Sequence, residues 1–222
     1  MLYVALGDSI TYGYDATAPQ AGYVQRIADG LPRKEAVHVF QQAKPGWTSR
    51  SLLKSLRKVP TCLWAEARLI TLLVGGNDVL RAAPWLLNGR HQSVYHVAQR
   101  LQDNLEEMVQ LTKEAGFSAC MVIGTLYNPF PNSVLAESYV ETVNQAILHV
   151  ASRHRLAVAD IRARFRHHEA EYIHGYKQGT LRNMRVIGNP IHPNDAGHAA
   201  IAHAFLQAYR RSTQPRRKRR RA

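Results

Sequence analysis

Ser9, Asn77 and His192 lie far apart in the chain and carry the groups that acyl transfer requires. Ser9 stands in Gly7-Asp8-Ser9-Ile10-Thr11-Tyr12-Gly13, directly after the apolar run Leu2 to Leu6. A serine hydroxyl is a weak nucleophile at its own pKa and is activated by an adjacent base, most often histidine. His192, in Asn189-Pro190-Ile191-His192-Pro193-Asn194, is the candidate base, its backbone stiffened by Pro190 and Pro193. The tetrahedral intermediate then needs donors aimed at its oxyanion. The backbone N–H groups of Ser9 and Gly46 and the side-chain amide of Asn77, in Gly75-Gly76-Asn77-Asp78, supply three. Gly46 admits close approach of the backbone because it has no Cβ. By position alone Ser9 or Thr11 reads equally as a helix N-cap, so the case for chemistry rests on the separated blocks taken together.

The elements that must hold these residues follow from hydrophobic periodicity. Leu2 to Leu6 is a buried strand, Tyr23 to Leu31 a helix ending near Gly30 and Pro32, and Ala36 to Phe40 a second strand. Residues 41–47 contain Pro45 and Gly46 and form a loop, followed by a helix from about Thr48 with Leu52, Leu53 and Leu56 on one face. Leu69 to Val74 is a third strand, stopped by Gly75-Gly76. The clearest helix is Val94 to Ala115, whose Val94, Val97, Leu101, Leu105 and Met108 share a stripe. A strand at Ala119 to Ile123, a helix at Ala136 to Ala151 and a short strand at Leu156 to Ile161 come next. Residues 169–188 lack a period and read as a long loop before a last helix starting near Asp195. Strands alternating with helices imply βαβ crossovers, and so an α/β fold: a flavodoxin-like three-layer α/β/α sandwich on a parallel five-stranded sheet. Ligands bind such sheets at the carboxyl ends of the strands, the edge on which all four blocks fall.

The chain has 222 residues, 45% hydrophobic and 20% charged, which suits one soluble domain over residues 1–211. No apolar run is long enough for a membrane span. No basic, apolar and small-residue succession marks a signal peptide. Cys62 and Cys120 sit in apolar surroundings without metal-site spacing and are expected to be buried, reduced thiols. The expected location is therefore the cytoplasm. The net charge of +13 is concentrated at one end, with eight cations among residues 210–222. Such a block, residues 212–222, reads as a solvated basic tail that offers weak contact to an anionic surface or nucleic acid. It has no interleaved aromatic residues for base stacking.

These blocks resemble the GDSL family of serine hydrolases, also called SGNH hydrolases after four residues in four blocks: here Ser9, Gly46, Asn77 and His192. The match spans residues 7–198. The resemblance implies the α/β/α sandwich, no metal or cofactor, and hydrolysis of esters or related acyl bonds. One position departs. The family usually carries Asp three residues before the His, where this chain has Asn189. An Asn oxygen can accept the imidazole N–H and fix its tautomer, but it cannot stabilise the imidazolium by charge. The comparable change in a serine protease lowers kcat about 10,000-fold. The expected arrangement is Asn189 orienting His192 weakly. A backbone carbonyl or Asp195 is the alternative support, and Asp195 also reads as an N-cap.

The reading is a serine esterase working through acyl-Ser9, with acetyl esters of a sugar or small alcohol as the expected substrates. Its rivals are a thioesterase, lysophospholipase or acyltransferase using the same residues, or a non-catalytic binding protein attached through the basic tail. Asp8 and Asp78 read as turn hydrogen-bonding residues. His167, His168, Glu169 and His174 fit no regular metal-ligand spacing. The apolar stretches 83–87 and 127–131 read either as acyl-pocket walls or as ordinary packing.

Overall fold

A computed structural model describes residues 1–32, 35–90, 92–116, 120–184 and 188–214, without the side chains of residues 85–87. Residues 215–222, most of the expected basic tail, and Ala119, at the expected start of a strand, lie outside the described residues.

The chain runs β1 (Leu2–Gly7), α1 (Ser9–Tyr12), α2 (Tyr23–Gly30), β2 (His38–Ala43), α3 (Ser49–Leu56), α4 (Thr61–Glu66) and β3 (Ala67–Leu73). It continues through α5 (Gly76–Leu87), α6 (Ser93–Glu114), β4 (Cys120–Gly124), α7 (Val134–His154) and β5 (Ala157–Ala159). It closes with α8 (Ile161–Phe165), α9 (Glu169–Tyr172) and α10 (Asp195–Thr213). The five strands form one parallel sheet in the order β2-β1-β3-β4-β5. Helix α10 packs with α2 and α8 and against β4 and β5, while α6 gathers α3, α5 and α7. The result is the expected α/β sandwich. Central strands covered on both faces explain why β1 and β3 read as continuous apolar runs.

Several elements depart from their sequence-based expectations for physical reasons. Strand β2 extends through Gln41, Gln42 and Ala43, which pair with Ala5, Leu6 and Gly7. It lies at the sheet edge, where polar side chains are tolerated and the apolar pattern ends before the pairing does. The stretch 83–87 is the end of α5 rather than a loop, and the helix carries Pro84 within it. Residues 169–188 include α9 and a 3-10 turn at Leu181–Asn183, elements too short to show a period. Cys62 is exposed on α4 and Cys120 is half-buried, so neither is the buried thiol expected from apolar neighbours. Helix α10 continues to Thr213, past the expected domain limit at residue 211.

Candidate active site

Strand β1 delivers Ser9 to the carboxyl edge through a turn that only glycine can make. A Cβ on Gly7 would run into Thr11 Oγ1 and the Leu73 carbonyl. Asp8 caps the short helix by accepting the Ile10 N–H at 3.1 Å, and Ser9 is the first helical residue. Thr11 is not a cap. Its hydroxyl lies 2.8 Å from the Tyr23 hydroxyl beneath the nucleophile turn.

His192 arrives from the other end of the chain, 183 residues away, and its Nε2 lies 3.0 Å from Ser9 Oγ. Its segment is held on several sides. The His192 carbonyl accepts from His174 N–H at 2.9 Å, Pro193 bridges to Ile173, and Asn194 N–H donates to the Tyr172 carbonyl at 2.8 Å. The Tyr127 hydroxyl donates to the Ile191 carbonyl. Burial pushes the His192 imidazole below its ordinary pKa, and the Asp15 carboxylate opposes that shift. A neutral ring with Nε2 facing a serine hydroxyl is arranged to accept its proton.

Asp15 is the functional candidate that sequence reading missed. Its Oδ2 lies 3.4 Å from His192 Nδ1. Nothing local in the sequence marks it, because its place opposite the imidazole depends on the 13–17 loop folding back with φ of 62° at Asp15. Asn189, the expected orienter, lies in the turn before His192, where its backbone carbonyl accepts from Ile191 N–H at 2.9 Å. Asp195 is not the N-cap of α10 either. Asn194 takes that role, accepting Gly197 N–H at 3.0 Å, while Asp195 reaches across to Thr17.

The two remaining blocks are laced together. Asn77 stands in the first turn of α5, and its amide donates to the Trp47 carbonyl at 2.9 Å. Gly46, at φ 79°, has its carbonyl held at 3.0 Å by the Arg81 guanidinium. Asp78 accepts both the backbone N–H and the hydroxyl of Ser49, at 2.9 and 2.6 Å, which ties the start of α3 to α5. Its carboxyl is raised by burial despite those donors. Asp78 is thus a structural tie between the starts of α3 and α5, rather than the turn-bonding residue expected from the sequence.

A cleft opens beside Ser9, lined also by Asn77 and His192. Its walls are mostly apolar: Leu73, Val79, Leu80 and Ala83, with Leu126, Tyr127, Pro129, Phe130, Tyr139 and Val140. Leu181, Met184 and Ile191 complete it. Both stretches that sequence reading left open, 83–87 and 127–131, therefore contribute wall residues. Asp8 also borders the cleft, and burial lifts its carboxyl to about 7. Among the described residues no group of His, Cys, Asp and Glu is placed to hold a metal ion. His168 instead pairs with Glu171 and stacks on Tyr172.

Comparison with known proteins places the chain among lipases and esterases of similar fold. The chain is 26% identical over 215 residues to the spore germination lipase LipC of Bacillus licheniformis, covering 93% of this chain and 95% of that protein. The crystal structure of the lipase Lip_vut3 from a goat rumen metagenome superposes with a TM-score of 0.80 at 25% identity, covering 94% of this chain and 98% of the other. Axe2, an acetylxylan esterase from Geobacillus stearothermophilus, shares the fold, with a TM-score of 0.69 at 18% identity and coverage of 94% and 93%. The profile of the GDSL-like lipase/acylhydrolase family matches residues 5–200, and the chain belongs to that family of ester hydrolases.

Proposed function

We propose that this ester hydrolase cleaves carboxylic esters whose acyl group is an apolar chain longer than acetyl, through an acyl-Ser9 intermediate. The observation that carries this reading is the Ser9–His192 contact at the mouth of a cleft with mainly aliphatic and aromatic walls. An acetyl group would leave most of those walls facing water. A longer chain removes that surface from water at roughly 0.8 kcal/mol per buried methylene. The lining thus favours a lipid-like acyl chain over the acetyl sugar ester expected from sequence. The lipases among the similar proteins point the same way.

In the proposed mechanism His192 Nε2 takes the Ser9 proton as Oγ attacks the ester carbonyl. The carbonyl π pair moves to oxygen, and that oxyanion is met by Ser9 N–H, Gly46 N–H and the second amide hydrogen of Asn77. The first amide hydrogen is already engaged by the Trp47 carbonyl, which sets the plane of the amide. The intermediate collapses with cleavage of the bond to the alkoxy oxygen, which leaves as the alcohol with the proton from His192. Water, deprotonated by the same imidazole, then attacks the acyl carbonyl; the bond to Ser9 Oγ breaks, Oγ takes the proton back from His192, and the carboxylic acid leaves. Donors held in place before the substrate arrives are the effective ones, and the Trp47 bond to Asn77 supports that reading for its amide.

The test is hydrolysis of p-nitrophenyl esters from acetyl to palmitoyl by the wild type and Ser9→Ala. The expected result is a kcat/KM that peaks above the acetyl ester and a loss of at least about 1,000-fold in Ser9→Ala. A preference for acetyl would overturn the chain-length assignment. Equal rates in wild type and Ser9→Ala would overturn the serine mechanism.

A further inference from the structure

We propose that Asp15 is the charge partner of His192, and that Asp195 and His198 on α10 are positioning residues that hold Asp15 against the imidazole. The proposal rests on the Ser9–His192 reading above and adds to it the carboxylate that Asn189 cannot supply. In this chain the acid is contributed from the nucleophile side of the site rather than from the histidine segment.

The carboxylate of Asp15 lies 3.4 Å from His192 Nδ1, the ring nitrogen facing away from Ser9. Asp15 has φ of 62°, in the left-handed region. Aspartate tolerates this region better than most residues, but it persists only where neighbours determine it. Here the neighbours on both sides are tied to one helix. Thr17 donates its N–H to Asp195 Oδ1 at 2.9 Å and its hydroxyl to Asp195 Oδ2 at 2.5 Å. On the other side, His198 Nε2 lies 3.3 Å from the Tyr14 carbonyl. His198 is fully buried, and its Nδ1 accepts the Tyr23 N–H at 3.3 Å, so Nε2 carries the hydrogen and donates to Tyr14. The Tyr14 ring then lies against His192, with centroids 4.5 Å apart.

Asp195 and His198 stand three residues apart on α10 and face the same way. His192 enters the same helix through the Asn194 cap. One rigid element therefore carries the base and grips the loop bearing its acid. A loose loop would let the carboxylate swing into water, where its effect on the imidazolium is screened. The clamp keeps it at contact distance while Ser9 is deprotonated.

The test combines turnover of a p-nitrophenyl ester with the NMR titration of His192, followed in wild type and in the near-isosteric Asp15→Asn. Among the described residues the titratable groups facing His192 are Asp15, Tyr14, His174 and His198. Removing the only anion among them must lower the imidazole titration midpoint, and the acid limb of kcat/KM must move to lower pH with it. Turnover should fall about 1,000- to 10,000-fold in kcat, with KM nearly unchanged. Asn189→Ala should cost far less. Asp195→Ala and His198→Gln should each lower kcat about tenfold in the wild type and have no further effect in Asp15→Asn, since the group they position is gone.

A His192 midpoint that does not move in Asp15→Asn overturns the pairing. So does a loss in Asn189→Ala equal to that in Asp15→Asn. Multiplicative losses for the α10 variants in both backgrounds overturn the clamp and leave them as general folding residues. The NMR titration needs no turnover, so failure of the serine mechanism, seen as an active Ser9→Ala, is read separately.

Discussion

Asp8 shows how a single buried carboxyl couples this site to pH. It is 4% exposed, and burial, with Asp78 nearby, raises it to about 7, while the bond from Ile10 N–H works in the opposite direction. Unfolded, the same carboxyl titrates near 3.9. Between those values the folded state binds the extra proton, so its stabilising effect is complete below about pH 4 and is lost as pH rises through about 7. Asp8→Asn keeps the oxygen that caps α1 and abolishes the buried charge. The variant should match the wild type in thermal unfolding near pH 4 and gain about 5 °C in Tm at pH 8. An equal effect at both pH values would mean that the carboxyl is not the titrating group. Ser9, Asn77 and His192 were legible from the sequence because each stands in a local block of glycine, proline or amide residues. Asp15 was not legible. Its role depends on a left-handed backbone turn and on bonds from residues about 180 positions away, and neither leaves a local signature.

Among the elements, α10 was recognised from its apolar stripe, but its attachment was not. Gly197 lies in its first turn, where a Cβ would strike the Tyr172 carbonyl and come within 2.7 Å of Pro193 Cβ. The same Tyr172 carbonyl receives Asn194 N–H, so the glycine lets the helix start come down onto the segment carrying His192. Gly197→Ala should therefore cost about 1–3 kcal/mol through overpacking. It should also lower kcat at temperatures where the protein stays folded, as seen by activity and circular dichroism on the same sample. Full activity with reduced stability would show that the strain stays away from His192. Strand β2 and α5 show where pattern reading fails. The register of β2 is set by pairing with β1 rather than by its own polar end. Helix α5 continues past Pro84, which in sequence reads as a break.

At the scale of the molecule, the parallel five-stranded sheet and its two helical layers were readable because buried parallel strands leave continuous apolar runs, whereas the strand order β2-β1-β3-β4-β5 was not. The depth and chemistry of the cleft were not, since its walls come from α5, the segment after β4, α7 and the 3-10 turn, which meet only on folding. One feature of the frame bears on how the enzyme can be presented. The chain after Ser9 and the start of α5 follow the carboxyl ends of β1 and β3. The last turn of α10 instead brings Ser212 within 2.9 Å of Cys120, the first residue of β4, at the opposite edge of the sheet. Gln214, the last described residue, therefore lies at the back of the enzyme. Grafted to a bead through that end, the protein should retain the kcat/KM it has free in solution, whereas coupling through Tyr12 or Lys44, beside the nucleophile turn, should block it. An enzyme anchored by that end to a support would present its mouth outward, to substrate arriving from solution.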